Sequence, residues 1–334
     1  MIDSKLLSVK ITGLGTCLPV TEVKNDDLSQ IVDTNDEWIA SRTGIRSRYI
    51  ANKDETSGTL ATEAAKKALS MANLAPEDVD LVIAACSIGD YVYPSTACVV
   101  QGAIGAKNAA AYDMVAACSG FVYGLNTAAA YIRSGIYKNI VLIGVDIHSK
   151  VVDWTDRGTC VLFGDGAGAF VLQAGEGEDE LLATDIGADG SNGMVLTLPF
   201  QGQVCPLVEQ KEPQAQLLGM NGKEVYKFAV TVVPQSIQRA LAKAGLTVKD
   251  VDYLVPHQAN MRIITAIQDR LKIDEEKVLA YLDRFGNTSA ASIPIVLATA
   301  LEEGRLKPNS TMVLCGFGAG LTWGSAVIKW NLKK

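Results

Sequence analysis

A cysteine in a small, glycine-rich setting is the first candidate for chemistry in this chain. Cys118 stands in AACSGFVYG, after a strand-like segment (Ala111 to Val115) and before an apolar helical pattern. This order predicts that its sulfur lies at a helix N-terminus, where free N–H groups and the helix dipole stabilise a thiolate and lower its pKa. The alternative is a buried structural cysteine. We assign that structural role to the others: Cys17, Cys86, Cys98, Cys160, Cys205 and Cys315.

Two polar side chains and a glycine-rich loop could complete such a site. His257 follows the apolar run YLVP and is predicted to leave the C-terminal end of a strand, although a structural role is the alternative. Asn287, in RFGNTSAAS, precedes another helix and on its own fits an N-cap. The loop GFGAGLTWGS (316–325) exposes backbone N–H groups that suit an anion or an oxyanion. The second histidine, His148, is expected to be structural or on the surface.

An internal duplication predicts the elements that position these residues. The segment ALSMANLAPEDVDLVIAAC (68–86) resembles ALAKAGLTVKDVDYLVPHQ (240–258), and the same offset aligns IVLIGVD with MVLCGFG. Each copy is typical of an amphipathic helix, a short turn and a buried strand. We therefore expect two similar α/β halves with mixed, mostly parallel sheets packed in layers with helices. A ligand cleft is expected at the carboxyl ends of the strands.

The expected boundary divides the chain into an N-terminal half, 1–175, and a C-terminal half, 176–334. Within the second half, 201–219 carries two prolines and several Gln and Glu, and it predicts an exposed excursion without a strand. Pro234 lies inside the helical pattern 222–244. Because an interior proline removes a backbone hydrogen bond, we expect two helical pieces there.

The composition of the 334-residue chain excludes several classes of protein. Its net charge of −7 argues against a nucleic-acid-binding protein. The cysteines form no CxxC pair and only two histidines accompany them, which argues against a metal site. No signal-peptide pattern opens the sequence, and no apolar run approaches the roughly 20 residues that span a bilayer. We expect a cytoplasmic protein that does not bind membranes.

The motifs taken together resemble the thiolase-like condensing enzymes, and closely the β-ketoacyl-acyl carrier protein synthase III family. The resemblance covers nearly the whole chain. It is carried, in order, by DTNDEWIASRTGIRSR, AACSGF, DRGTCVLFGDGAGA, PHQANMRI, FGNTSAAS and GFGAGLTWGS. It implies a thiolase-like fold, and it matches the family's catalytic residues to Cys118, His257 and Asn287.

The resemblance also implies an activity. An acyl-coenzyme A primer would acylate Cys118, and the backbone N–H groups of Cys118 and Ala319 would hold the oxyanion. Malonyl-acyl carrier protein would then lose carbon dioxide, with its enolate bound by His257 and Asn287. Condensation would give a 3-ketoacyl-acyl carrier protein and initiate fatty acid biosynthesis. No cofactor is implied, because coenzyme A arrives as part of the substrate, and the family implies a homodimer.

Further positions match the family's coenzyme A site. Trp38, Arg42 and Arg157 match residues that contact the adenine and the phosphates. An indole ring and guanidinium groups suit that ligand, because they stack on the base and pair with phosphate oxygens. Asn260 matches a position near the pantetheine arm.

The remaining matches concern the carrier protein and the acyl pocket. Arg262 and Lys227 match basic residues that meet the acidic carrier protein, although Lys227 could equally belong to a solvated helix face. Tyr93 matches an aromatic that reaches the partner subunit's acyl pocket, and its size favours a short primer such as acetyl. Two positions depart from the family pattern. Ala319 replaces a common glycine, and Asp269 stands where some members have a lysine.

Three other functions compete with this interpretation. A papain-like protease also has a Cys, His, Asn order, but it places the cysteine in a CGSCW-like sequence near its N-terminus, which this chain lacks. Another thiolase-like acyltransferase could pass the acyl group from Cys118 to a different nucleophile in secondary metabolism. A non-enzymatic acyl-binding protein of the same fold would leave Cys118 unreactive.

Overall fold

Two β-sheets, one from each part of the chain, organise the fold. The computed structural model describes residues 7–200, 205, 207 and 217–333. Up to residue 175 the elements are β1 (Ser8–Cys17), β2 (Thr21–Lys24), α1 (Asn25–Leu28), α2 (Asp36–Thr43), β3 (Ser47–Ile50), α3 (Ser57–Ala72), β4 (Leu81–Ala85), α4 (Thr96–Ile104), β5 (Ala110–Met114), α5 (Gly120–Arg133), β6 (Asn139–Asp146) and β7 (Gly166–Gly175). Beyond it they are β8 (Leu181–Ala188), β9 (Leu196–Thr197), β10 (Gly219–Met220), α6 (Gly222–Lys243), β11 (Tyr253–Pro256), α7 (Met261–Leu271), α8 (Leu282–Phe285), α9 (Ser292–Glu302), β12 (Ser310–Gly318) and β13 (Thr322–Trp330).

The strand orders of the two sheets show the duplication directly. The first sheet runs β1-β7-β6-β4-β5 and the second runs β8-β13-β12-β11. The strands β1, β7, β6 and β4 therefore correspond in order to β8, β13, β12 and β11. Helix α3 precedes β4 as α6 precedes β11, which confirms the predicted helix, turn and strand in each copy.

The sheets are mixed, as predicted, but parallel pairs are not the expected majority. The pairs β4–β5, β4–β6 and β11–β12 are parallel. The pairs β1–β7, β6–β7, β12–β13 and β13–β8 are antiparallel. The connection explains the difference at β12 and β13. The turn 319–321 between them is too short for the helical crossover that a parallel pair requires.

Helices form layers between and outside the two sheets. Phe121 of α5 and Ile293 of α9 share one apolar cluster with residues of both sheets, such as Phe170 of β7 and Leu314 of β12. The rings of Phe121 and Phe170 meet edge to face with centroids 5.0 Å apart. Helices α3 and α4 cover the outer face of the first sheet, and α6 and α7 cover that of the second. The resulting order of layers is the thiolase-like fold that the sequence resemblance implies.

Two local expectations prove wrong. Helix α6 continues through Pro234 as one element, although two pieces were predicted. Buried residues on both sides of the proline, such as Val230 and Ile237, pack on the second sheet, and this packing offsets the roughly 3 kcal/mol that an interior proline costs. Most of 201–219 lies outside the described residues. At its end, however, Leu218 is buried and Gly219 pairs with Thr197, so the excursion does carry a strand residue.

Candidate active site

A cavity of about 280 Å³ lies at the carboxyl ends of strands from both sheets. Its wall contains Cys118, His257 and Asn287, so the structure brings together the three side chains that the sequence singled out. Cys118 follows β5, and His257 follows β11 directly. The two strands are not equivalent in the duplication, because β11 corresponds to β4 and β5 has no counterpart in the second sheet, but the carboxyl ends of both sheets face the same cleft.

The nucleophile candidate stands in a tight turn before a buried helix. Cys118 lies in the 3₁₀ turn Ala117–Ser119 and α5 begins at Gly120, which confirms the predicted position. Ala117 has a φ of 45°, a left-handed conformation that is costly for a residue with a Cβ. This strained residue lies next to the thiol and helps to aim it into the cavity.

The pKa of Cys118 differs from the sequence expectation. Burial raises it to about 12, and the negative charge of Asp146 contributes in the same direction. The Ser289 hydroxyl, 3.4 Å from Sγ, lowers the pKa but does not compensate for burial. The resting group is therefore the neutral thiol. The predicted lowering fails because the helix N-terminus supplies only N–H dipoles, whereas the enclosed sulfur has lost its water.

His257 is held as a neutral imidazole. Burial lowers its pKa to about 3, and the neighbouring His148 adds to the lowering. Its Nδ1 lies 2.7 Å from the Ser292 hydroxyl, and the Gln258 N–H donates to the same hydroxyl at 3.4 Å. The Ser292 hydrogen is therefore free to be donated to Nδ1. We assign the tautomer that carries its hydrogen on Nε2, which makes that nitrogen a hydrogen-bond donor.

Asn287 is oriented by its own turn. Its Oδ1 accepts a hydrogen bond from the Ser289 N–H at 2.9 Å, which leaves the amide nitrogen as the donor that can serve the cavity. Ser289 has a φ of 51°, a second strained residue at this site. The N-cap position of α9 is Ala291, so Asn287 does not cap that helix as its isolated sequence suggested.

The glycine-rich loop presses against the backbone of the cysteine. A Cβ on Gly318 would lie 2.7 Å from the Cys118 nitrogen, so only glycine fits this close approach. Ala319 follows it and lines the cavity, and its φ is not positive. The N–H of Ala319 therefore tolerates the alanine that replaces the common glycine.

We expect Gly318→Ala to lower the condensation activity that the sequence resemblance implies by about 10²–10³-fold, because the added methyl group displaces a backbone donor from the oxyanion position. The matched control is Gly190→Ala, where a Cβ meets nothing within 4 Å. Steady-state rates of both variants, with thermal melting to confirm folding, test this. Equal rates for the two variants would contradict the assignment of the loop.

Several residues of the site were missed by sequence reasoning. Ser289 and Ser292 contact the cysteine and the histidine, and both lie in the quoted motif FGNTSAAS. Asp146 is fully buried, and burial raises its pKa to about 6. Its Oδ1 accepts hydrogen bonds from the backbone N–H groups of Ser87 and Ile88 after β4, whereas its buried Oδ2 has no hydrogen-bond partner among the described residues. His148 is buried in the cavity wall, which excludes the surface position and leaves the structural role of the two alternatives that the sequence suggested.

Aromatic and basic residues meet close to the mouth of the cavity. The guanidinium carbons of Arg42 and Arg157 lie 4.5 and 5.0 Å from the centroid of the Trp38 ring. Arg157 also donates to the backbone and side-chain oxygens of Asp33. Two cations thus lie over one indole ring, an arrangement that suits a flat ligand with phosphate groups.

Two further predicted residues line the cavity, whereas two others do not. Asn260 and Arg262, at the start of α7, donate to backbone oxygens at the end of α2 and join these helices at the mouth. Lys227 is exposed on α6 and lines a separate depression beside Trp323. Tyr93 is 86% exposed and lies outside the cavity of its own chain.

Among the residues described, no group of three or more His, Cys, Asp or Glu side chains is placed to hold a metal ion. Over the same residues, no helix combines the length and the apolar character needed to span a membrane.

Comparisons with known proteins agree with this architecture. Residues 112–190 match the protein family described as 3-oxoacyl-[acyl-carrier-protein (ACP)] synthase III. Residues 241–330 match the family described as the C-terminal part of the same synthase. The chain is 50% identical over 327 residues to a β-ketoacyl-[acyl-carrier-protein] synthase III of Desulfitobacterium hafniense, covering 98% of this chain and 99% of that protein. A relative of the same name from Synechocystis is 48% identical over 325 residues, 96% of this chain and 98% of the relative.

The solved structures give the same result. The crystal structure of 3-oxoacyl-[acyl-carrier-protein] synthase III from Aquifex aeolicus superposes with a TM-score of 0.90 at 44% identity, covering 96% of this chain and 100% of that one. The identity and the coverage lie far above what a shared fold alone produces. The chain belongs to the β-ketoacyl-acyl carrier protein synthase III family.

Proposed function

We propose that this acyltransferase condenses an acyl-coenzyme A primer with malonyl-acyl carrier protein, through an acyl-Cys118 intermediate, and so begins fatty acid biosynthesis. The observation that carries the proposal is the cavity in which a thiol, a neutral imidazole and an oriented carboxamide meet. A nucleophile and two uncharged donors are what acyl transfer and enolate stabilisation require.

The first step is transfer of the acyl group to the cysteine. Sγ of Cys118 attacks the thioester carbonyl, and the resulting oxyanion is held by the N–H groups of Cys118 and Ala319. The carbon–sulfur bond to coenzyme A then breaks. The proton lost by the thiol balances the proton gained by the departing coenzyme A thiolate. Because the resting thiol is neutral, ionisation accompanies substrate binding and attack.

The second step is decarboxylative condensation. Loss of carbon dioxide from the malonyl group places negative charge on its thioester oxygen, where Nε2–H of His257 and the amide of Asn287 can donate. Both donor groups are neutral. Neither therefore transfers its proton to the enolate, and both remain hydrogen-bond donors. The enolate carbon attacks the acyl-cysteine carbonyl, the bond to Sγ breaks, and the thiolate takes up a proton.

Residues at and near the mouth of the cavity would bind coenzyme A and the carrier protein. Trp38, Arg42 and Arg157 would bind the nucleotide of coenzyme A, with Asn260 beside the pantetheine arm. Arg262 is the better supported contact for the carrier protein, since it lies at the mouth of the cavity, whereas Lys227 lines a separate depression on α6. We propose a cytoplasmic homodimer without a cofactor, in which exposed Tyr93 enters the partner subunit's acyl pocket and favours an acetyl primer. Light scattering that finds a monomer at micromolar concentration would contradict the dimer.

We also propose the halves 1–175 and 176–334 as structural units of the chain, since β7 ends before the boundary and β8 begins after it.

Mass spectrometry and carbon dioxide release test the reaction. Exposure to acetyl-coenzyme A should add an acetyl group to the peptide that contains Cys118, and malonyl-acyl carrier protein should then release carbon dioxide and yield a ketoacyl product. No mass gain would support a non-enzymatic acyl-binding protein. Acylation without carbon dioxide release would instead favour an acyltransferase with a different acceptor.

Ser292 is proposed as a positioning residue for His257. We expect Ser292→Ala to slow condensation by about 10- to 100-fold, because the imidazole loses the hydroxyl that fixes its tautomer, while acylation of Cys118 is largely retained. The control is Thr299→Ala, which removes another buried hydroxyl of α9 that bonds only a backbone oxygen. Ser292→Cys should recover part of the loss. Equal slowing of acylation and condensation would indicate a merely structural role.

A further inference from the structure

His148 is a buried imidazole for which the proposed mechanism has no use. It follows β6, opens the 3₁₀ turn His148–Lys150, and is only 6% exposed. Its ring lines the same cavity as Cys118 and stacks on Phe163, with centroids 4.5 Å apart and planes at 4°. The stack fixes the plane of the ring within the cavity wall.

The hydrogen-bonding capacity of this imidazole is partly unused. Nδ1 is buried and has no hydrogen-bond partner. Buried polar atoms in folded proteins nearly always have one. In this orientation of the ring Nδ1 is also shielded from the cavity, so a ligand reaches it only when the ring turns. A half-turn of the ring about its bond to Cβ preserves the stack with Phe163 and exchanges the ring atoms that face the cavity.

The buried carboxylate whose charge acts on His148 does not supply the missing partner. Asp165 is fully buried, and its two oxygens accept hydrogen bonds from the N–H and hydroxyl of Ser149 and from the N–H of Ala51. Burial lowers the pKa of His148 to about 4 despite the charge of Asp165, so the ring is neutral at physiological pH. The negative charge nearby also disfavours an anionic ligand.

The position of His148 assigns it to the acyl group of the primer. Residues of α2 and α7 form the mouth, where coenzyme A would lie, whereas His148 belongs to the strand ends of the first sheet, beside Ser87 and Ile88. His148 is close enough to His257 that a positive charge on one ring would destabilise a positive charge on the other. Because Cys118 and His148 line the same cavity, we infer that an acyl chain continuing past Cys118 runs along the wall that contains His148.

We propose that His148 selects acyl primers that carry a hydroxyl group on the acyl chain, an inference that rests on the proposed function. A neutral imidazole has one donor and one acceptor, and a hydroxyl can pair with either nitrogen because it both donates and accepts. An unsubstituted acyl chain leaves the buried nitrogen unpaired, so the two primers differ by a hydrogen bond made in an enclosed site.

Competition between matched thioesters tests this assignment. Butyryl-coenzyme A is mixed with its 2-, 3- or 4-hydroxy derivative, and the ratio of the two adducts on Cys118 is measured by mass spectrometry. We expect His148→Leu to lower the hydroxyacyl-to-acyl ratio by about tenfold for at least one derivative. His148→Gln, which keeps a donor and an acceptor, should stay near the natural ratio. Leu162→Val, a change in the apolar part of the same wall, should move the ratio by less than about twofold.

The outcomes separate this inference from the proposed function. Ratios that stay within about twofold of the natural ones in His148→Leu, for all three derivatives, would overturn it. If that variant does not fold, His148→Phe keeps the stacked ring and takes its place. Absence of condensation by the unaltered protein with every primer would instead reject the proposed function, and the acylation ratios would still decide the role of His148.

Discussion

Cys118→Ala is expected to lower condensation by at least about a thousandfold, because the acyl group loses the only atom to which it is transferred. Loss of carbon dioxide from malonyl-acyl carrier protein should continue in this variant. That step needs the donors of His257 and Asn287, and neither depends on the thiol for its orientation. The measurements are ketoacyl product by mass spectrometry and carbon dioxide release in the same assay.

Cys315→Ala is the matched control for this experiment. Cys315 is also buried, and burial likewise raises its pKa to about 12, but it lies in the apolar cluster under α6 and not in the cavity wall. It should retain most of the activity, with a modest loss of stability from the missing sulfur. Condensation by Cys118→Ala at more than about a tenth of the natural rate would reject the acyl-cysteine intermediate.

Asn287→Asp is expected to separate the two half-reactions. The carboxylate can still accept the hydrogen bond from the Ser289 N–H, so the turn is preserved. It replaces the donated N–H with an anionic oxygen that faces the developing enolate. We therefore expect condensation to fall by about 10²–10³-fold. Acylation of Cys118 by acyl-coenzyme A should fall far less, because its oxyanion is held by backbone N–H groups.

The control for this change is Asn52→Asp. Asn52 accepts a hydrogen bond from the N–H two residues later, at 2.8 Å, in a similar turn that is exposed and lies outside the cavity. It imposes the same change of charge without removing a donor from the site, and it should leave both half-reactions intact. His257→Ala should resemble Asn287→Asp, since it removes the second donor. Parallel losses of acylation and condensation in Asn287→Asp would contradict the assigned role.

The proposed positions of these groups followed from local order along the chain. Cys118 lies in a short-range pattern of strand, small-residue turn and helix, and His257 follows an apolar run. These patterns are retained in the fold because the apolar faces that define them in the sequence are the faces that the fold buries. The duplication then placed strand ends of both halves at one cleft. Sequence comparison within the chain predicted the elements and a cleft between the two halves, whereas the meeting of the three side chains in that cleft was implied by the family resemblance.

What the tertiary structure decided were properties that depend on residues distant in sequence. The thiol is neutral at rest because the fold encloses Cys118. The hydroxyl that lowers the pKa of this thiol belongs to Ser289, which is 171 residues away in sequence. His148 belongs to the cavity wall because Phe163 stacks on it, and α6 continues through Pro234 because both of its ends pack on one sheet. Desolvation and packing act over distances in space, and a local pattern of residue types carries no measure of either.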